Sequence, residues 1–392
     1  MNTCKKALAA VGVKVPSILL PDKDADFSKF SVIACDQFSA RADYWHEVEA
    51  LVGSAPSALN LILPEAYLCD NNDERIEKIN KTMEEYLSKD VLTDIGETFV
   101  FLRRNTTSGV RKGLVLALDL EHYDYSKDAK TMIRATEGTI IERLPPRIKI
   151  RENAPLESPH IMVLIDDKAD RLMSYLESRV DSFECLYDFD LMQNGGHSTG
   201  FRVDSETDLL KIAEILSDLK AQGGDDFLFA MGDGNHSFAT AKACWEKIKP
   251  TLSAEQRENH PARWALVEVV NLYDKALRFE PIHRLLYNVD PEEFCRELGF
   301  DPENPPDAQV LQPKIDAYLA AHPEAELEYI HGEDECRKLA AADSRRLAII
   351  FGEFERDSLF SVVRQNGAFV RKSFSMGEAV DKRYYLECRK IK

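Results

Sequence analysis

No C-x-x-C pair occurs among the eight cysteines, which are scattered singly from Cys4 to Cys388. Disulfide frameworks and thiolate metal sites draw on closer spacings, so this scatter predicts reduced thiols and a cytoplasmic protein. Long apolar runs are missing too. None reaches the roughly 20 residues that a membrane-spanning helix needs, and no membrane partner is expected. The opening MNTCKKALAAVGVKVP has no small-residue cleavage site after it, which argues against a secretion signal. Positive charge is in short supply: 50 Lys and Arg against 68 Asp and Glu give a formal net charge of -18. That balance offers no general attraction to a phosphate backbone, and no extended nucleic-acid interface is expected. HExxH, the full phosphate-loop spacing and G-x-G-x-x-G are all absent.

Hydrophobic residues make up 44% of the 392-residue chain, enough for a substantial core. TFVFLRR and VRKGLVLALDL read as strands joined by an NTTSG turn, HIMVLIDD and WALVEVVNLYD as further strands, and LNLILPE as a short one. Helical spacing marks SARADYWHEVEALVG, with Ser39 as its cap, and NDERIEKINKTMEEYLSK. SETDLLKIAEILSDLKAQGG begins with Ser205 and Asp208 at capping-box spacing and stops at a Gly pair. Beyond Tyr287, short helical patterns alternate with proline-containing connectors, after which RLAIIFG, SLFSVVRQ and AFVRK return to strand periodicity. These patterns predict an α+β (mixed α/β) fold, with short mixed or antiparallel sheets and packed helices rather than a regular barrel. The expected division is 1–287 as a main domain, or two intimately packed subdomains holding the site, and 288–392 as a smaller α+β region. Trp45, Trp245 and Trp264 each lie in apolar patterns and are expected in the core.

The stretch DFLFAMGDGNHSFATAKACWEKI moves from a strand through a glycine turn directly into a helix. Gly232 and Gly234 permit a close approach of the backbone, Ser237 can cap the helix, and Asn235 lies between them. The first turn of a helix presents N–H groups that suit a phosphate or carboxylate. Beside such an anion Asp233 can serve as a base or face a metal, and His236 can move a proton near neutral pH. The structural alternative is a tight turn in which Asp233 caps backbone donors.

TMIRATEGTIIERLPPRIKIREN concentrates arginines in an acidic chain. Arg134 and Arg143 are suited to bidentate contacts with an anion, Thr136 lies between them, and Glu137 can act as a base or help to hold magnesium. An ion-pair network around the LPP turn is the structural alternative. QNGGHSTGFRV places His197 in a hairpin or lid turn. In ACDQFSARADYW, Asp36 sits where a strand gives way to a loop, and Cys35 is expected to be a packing residue.

The GDGNHS turn resembles the Asp-Gly-His-His-Arg signature of a widespread bacterial family of unknown function, the one numbered 1015. PIHRLL, with His283 and Arg284, is similar to that family's Pro-Thr-His-Arg signature, and ACDQF adds a third point of likeness. Asp233, Gly234 and His236 match the first signature, whereas Asn235 replaces its first histidine and Ser237 its arginine. The signature looks like the turn of partition-protein nucleotide-binding domains, sulfiredoxins and free-serine kinases, which implies phosphate or phosphoryl handling. The expectation is therefore an enzyme that binds phosphate or a nucleotide, acts on a small anionic metabolite by phosphoryl transfer, and uses a nucleotide with magnesium. Asp233, His236, Glu137 and His283 are its catalytic candidates. Gly232, Gly234, Asn235, Ser237, Arg134, Thr136, Arg143, Arg284, Asp36 and His197 are its binding candidates. The alternatives are a metal-dependent hydrolase, using His197, His236, His283 and Asp233, and a non-catalytic metabolite sensor. A homodimer is left open.

Overall fold

Strands Phe99–Thr106 and Gly109–Asp119 form the expected antiparallel hairpin in the computed structural model, which describes residues 3–68, 72–138, 141 and 144–392. Internal contacts divide the chain into two compact units. One comprises Met1–Ala135, Thr139–Leu277 and Glu378–Lys392; the other comprises Thr136–Gly138 and Arg278–Gly377.

In the first unit ten described strands join one open mixed sheet. From one edge the order is Cys185–Asp190, His197–Val203, Phe99–Thr106, Gly109–Asp119, Trp264–Asn271, Met162–Ile165, Phe229–Asp233, Ile133–Arg134 and Tyr123–Asp124. Val13–Lys14 also pairs with Gly109–Asp119. Strand alternation gives the sheet two buried faces. Phe99, Phe101, Leu114 and Leu116 pack with Ile212, Leu216, Phe238 and Trp245 from helices Glu206–Gly223 and Asn235–Ile248. On the other face Val100, Leu102, Val115 and Leu266 share a core with Trp45, Val48, Ile76, Ile79 and Met83. All three tryptophans are buried.

That second face changes from apolar to charged along its strands. Arg104 and Arg111 are direct cross-strand partners, a like-charge pairing that is unfavourable by itself. Glu268, with no solvent exposure, reaches across from the neighbouring strand and accepts from Arg111 Nη2 at 2.8 Å and Nε at 3.3 Å. Gly113 makes the space, because a Cβ there would stand 2.2 Å from Glu268 Oε1. Burial, with the Arg111 charge beside it, draws the Arg104 guanidinium down to about 10 despite Glu268.

The tail covers this charged area with every second residue. Asp381, Arg383, Tyr385, Glu387 and Arg389 are all buried. Asp381 accepts from the Thr107 hydroxyl at 2.6 Å, Tyr385 donates to Ile161 O at 3.0 Å, and Arg389 pairs with Glu157 at 2.7 Å. Glu387 accepts from the Tyr187 hydroxyl at 2.6 Å, yet burial pushes its carboxyl up to about 7. A raised folded-state pKa means stability present below the unfolded value near 4.5 and lost as pH climbs towards 7. Between pH 5 and 8 the wild type should lose up to about 3 kcal/mol through this group, and Glu387→Gln should remove that slope. Urea unfolding across the pH series measures it; equal slopes in both proteins would refute the assignment.

Local structure departs from pattern in four places. LNLILPE is no strand: Ala58–Leu61 is a 3-10 turn whose Ser57 cap accepts from Leu59 N–H and donates its own N–H to Tyr86. Helix Ala42–Val52 starts after Arg41, without a side-chain cap, so Ser39 does not cap it. SLFSVVRQ is helical over Leu359–Asn366, because Leu359, Phe360 and Val363 bury one helical face. AFVRK contributes only an isolated bridge, Phe369 to Glu137. By contrast Ser205 does cap Glu206–Gly223, accepting from Asp208 N–H at 3.1 Å, and Gly224 ends it in the left-handed conformation.

The second unit is built on strand Phe279–Tyr287, flanked by Glu326–His331 and Arg346–Ile349, with Phe374–Met376 paired near its start. Helices Pro291–Leu298 and Ala308–Ala321 supply Phe294, Leu298, Leu311 and Ile315 to its core. Taken together, the architecture is mixed α/β with short sheets and packed helices, and no closed barrel is present among the described residues.

Candidate functional site

The glycine turn of the sequence is the junction between strand Phe229–Asp233 and helix Asn235–Ile248. A bulge between Met231 and Asp233 re-aims the strand end, with Asp233 facing Met162 across the ladder. Gly234 has φ +77° and is the N-cap, so Ser237 is the helix's third residue rather than its cap. As a glycine, this N-cap offers no side chain to accept from the helix's first N–H groups. Phe238 N–H makes the first intrahelical bond, to Gly234 O at 3.0 Å. The Asn235 amide oxygen is buried and receives no hydrogen bond among the described residues. An orphaned buried acceptor beside an uncapped helix start is chemistry that a ligand can complete.

Gly234 also lies against Ile161, where an added Cβ would be 3.1 Å from the Ile161 Cα. Gly234→Ala should therefore cost about 1–3 kcal/mol, from left-handed strain and from this backbone contact. Urea unfolding tests it, and a change below about 0.5 kcal/mol would mean that the turn tolerates a side chain.

Asp233 holds the turn with one oxygen, which accepts Gly234 N–H at 2.7 Å, and meets Lys382 Nζ at 3.3 Å with the other. Lys382 arrives through backbone pairing of the tail with the ACDQF segment: Ala34 N–H donates to Lys382 O at 2.8 Å and Tyr384 N–H to Val32 O at 2.9 Å. The same pairing brings Asp36 into the electrostatic range of Lys382. Burial opposes the Asp36 charge, but His160, the Gln37 amide and Lys382 outweigh it and hold the carboxyl below its ordinary value. His160 is 8% exposed, with Nε2 3.9 Å from Asp36 Oδ1 and its ring edge-on to Tyr384.

A cavity of about 150 Å³ is lined by His160, together with Ser237, Thr240, Tyr384 and Cys35. Burial, reinforced by the Asp36 charge, pushes the Cys35 thiol up to about 12, so it is no ready nucleophile. Phosphate oxygens fit the uncapped helix start together with Lys382, and the carboxylates of Asp36 and Asp233 are the oxygen donors that would suit a nucleotide's magnesium.

Arg134 and His197 lie on other strands of the first unit. Arg134 is buried in strand Ile133–Arg134, with its guanidinium on Asp225 at 2.8 Å and Thr131 O at 2.9 Å and stacked on Phe227. Those partners precede strand Phe229–Asp233, so Arg134 sits at the end opposite Asp233. His197 is held in its own hairpin by Asp188 and Asp190, whose hydrogen bonds raise its pKa. Arg143 lies outside the described residues. Thr136, Glu137, His283 and Arg284 belong to the second unit.

There Arg284 is fully buried and its donors are spent on Gln312, Ile282 O, Lys372 O and Arg371 O. Buried Thr136 accepts Phe369 N–H through its backbone oxygen at 2.7 Å. His283 Nδ1 accepts Phe351 N–H at 3.2 Å, and burial lowers its pKa, favouring a neutral ring. Burial raises Glu137 against the opposing effects of Lys372 and the 372–374 backbone donors. Among the described residues no group of three His, Cys, Asp or Glu is arranged to hold a metal ion.

His160, Lys382 and Tyr384 were missed in the sequence. The alternating polar residues of DKRYYLECR carried the signal for the tail, since a half-buried strand normally alternates with apolar positions.

Residues 19–350 match the model of the family described as "Protein of unknown function (DUF1015)", and the chain belongs to that family. No curated protein matches the sequence. Among solved structures the chain is similar to a free serine kinase in complex with AMP, at 10% identity over 69% of this chain and 90% of that one, with a TM-score of 0.37. A mutant of that kinase with ADP gives 10% identity, coverage of 71% and 93%, and a TM-score of 0.38. A conserved hypothetical protein from Pyrococcus furiosus gives 9%, 67% and 90%, and 0.35. At such distances a functional reading has to rest on the residues themselves. No helix among the described residues is long and apolar enough to cross a membrane.

Proposed function

We propose that the Asp233–Ser237 junction binds the phosphate of a phosphorylated small metabolite or nucleotide, and that the protein is a cytoplasmic phosphoryl-transfer enzyme. The observation that carries this reading is the uncapped start of helix Asn235–Ile248, with Lys382 3.3 Å from Asp233 at the same corner. The helix N–H groups and the Lys382 ammonium attract the phosphate oxygens and stabilise charge that develops on them. An acceptor hydroxyl attacks phosphorus, its proton passes to Asp233 with help from His236, and the bond to the leaving group breaks. A nucleotide would supply the transferable phosphoryl group and its magnesium, with Asp36 and Asp233 as the protein's carboxylates.

This reading does not use Arg134 or Arg284: Arg284 spends its donors on Gln312 and backbone oxygens, and Arg134 gives Nε and Nη2 to Thr131 O and Asp225. Glu137 and His283 form a separate proposal: Glu137→Gln and His283→Gln should lower turnover while leaving phosphate affinity unchanged. Titration calorimetry with inorganic phosphate, AMP and ADP, with and without magnesium, tests the central reading. Saturable binding of at least one is expected; no binding by any of them removes the proposal's ligand.

A further inference from the structure

The cavity beside the helix start has an unequal lining. Leu61, Leu63, Met83, Ile150 and Leu156 supply an apolar wall. The charged groups on its rim are already neutralised: Arg147 pairs with Glu65, and Arg151 with Glu157 at 2.5 Å. His160, more than nine-tenths buried, borders the cavity and makes no hydrogen bond to another described residue. Ser237 borders the same space from the helix. Such a cavity repels a charged body and takes an apolar one, while His160 and Ser237 in its lining call for a polar substituent.

Volume narrows the class. The cavity holds about 150 Å³, and a dry apolar protein cavity of about that size accepts one benzene ring. We propose that the substrate is an organic phosphate with a ring-sized, uncharged apolar body, seated against Leu63, Met83 and Leu156, and its anionic end at His160 and Ser237. The anionic end rests on the phosphate reading given above; the apolar body rests on the cavity alone. A purine's fused rings exceed the single ring this volume accepts, so they fit it less well.

Calorimetric titrations with inorganic phosphate, phenyl phosphate, AMP and benzyl alcohol test both parts. Phenyl phosphate should bind at least tenfold more tightly than inorganic phosphate and more tightly than AMP. Ala154→Leu, which fills the cavity from a lining position, should weaken phenyl phosphate at least tenfold and leave inorganic phosphate within twofold. Equal affinities for phenyl phosphate and inorganic phosphate overturn the apolar-body assignment while leaving the phosphate reading standing. AMP binding more tightly than phenyl phosphate does the same. Benzyl alcohol binding without any phosphate binding supports the cavity assignment and sinks the anion reading. If Ala154→Leu fails to fold, the four wild-type titrations still decide.

Discussion

Glu268→Ala should lower the free energy of unfolding by about 3–5 kcal/mol, the usual cost of stripping one partner from a buried ion pair. Glu268 is wholly buried and accepts two hydrogen bonds from Arg111. Its removal leaves Arg111 uncompensated directly opposite Arg104, whose guanidinium burial already draws down. Covering residues worsen the position, since Arg383 adds a third buried positive charge nearby. Urea unfolding followed by circular dichroism gives the measurement. The double variant Glu268→Leu with Arg111→Met should recover much of the loss, because no unpaired charge then remains at this pair. A single-variant loss below about 1 kcal/mol would mean that these arginines are solvated and that Glu268 is not their counter-charge.

This cluster also shows where sequence reading succeeds and where it stops. The short apolar run in VRKGLVLALDL marks the strand, and a cap plus a Gly pair bound Glu206–Gly223, since both signals act within a few residues. The GDGNHS turn was legible as a strand-to-helix corner for the same reason. Nothing local, however, says that Glu268 will bridge to Arg111, which lies 157 residues away. Nor does anything local say whether an arginine's donors are free. Arg284 has the right chemistry for an anion, but Gln312 and three backbone carbonyls take its donors first, and Arg134 is drawn to Asp225. The short apolar runs failed differently. LNLIL and SLFSVV suit a strand or a buried helical turn equally by composition, and tertiary packing chose the turn and the helix.

Lys382→Met should weaken inorganic phosphate binding by roughly 10-fold to 100-fold, the worth of a charge-assisted hydrogen bond of about 1.5–3 kcal/mol. The expected loss lies towards the larger figure because of what stays behind. Lys382 meets Asp233 and lowers the pKa of Asp36 together with His160 and Gln37. Without its ammonium, an incoming phosphate faces two carboxylates with the helix N–H groups as its main compensation. Lys382→Arg keeps the charge and should retain affinity within about tenfold, although its planar fork fits a lysine position imperfectly. Raising ionic strength should narrow the gap between wild type and Lys382→Met, as screening removes the long-range part of the attraction. Unchanged phosphate affinity in Lys382→Met would separate the tail from the ligand. The Asp233–Lys382 contact would then be a brace for the Gly234 turn, and its loss would register in the unfolding curve instead of the titration.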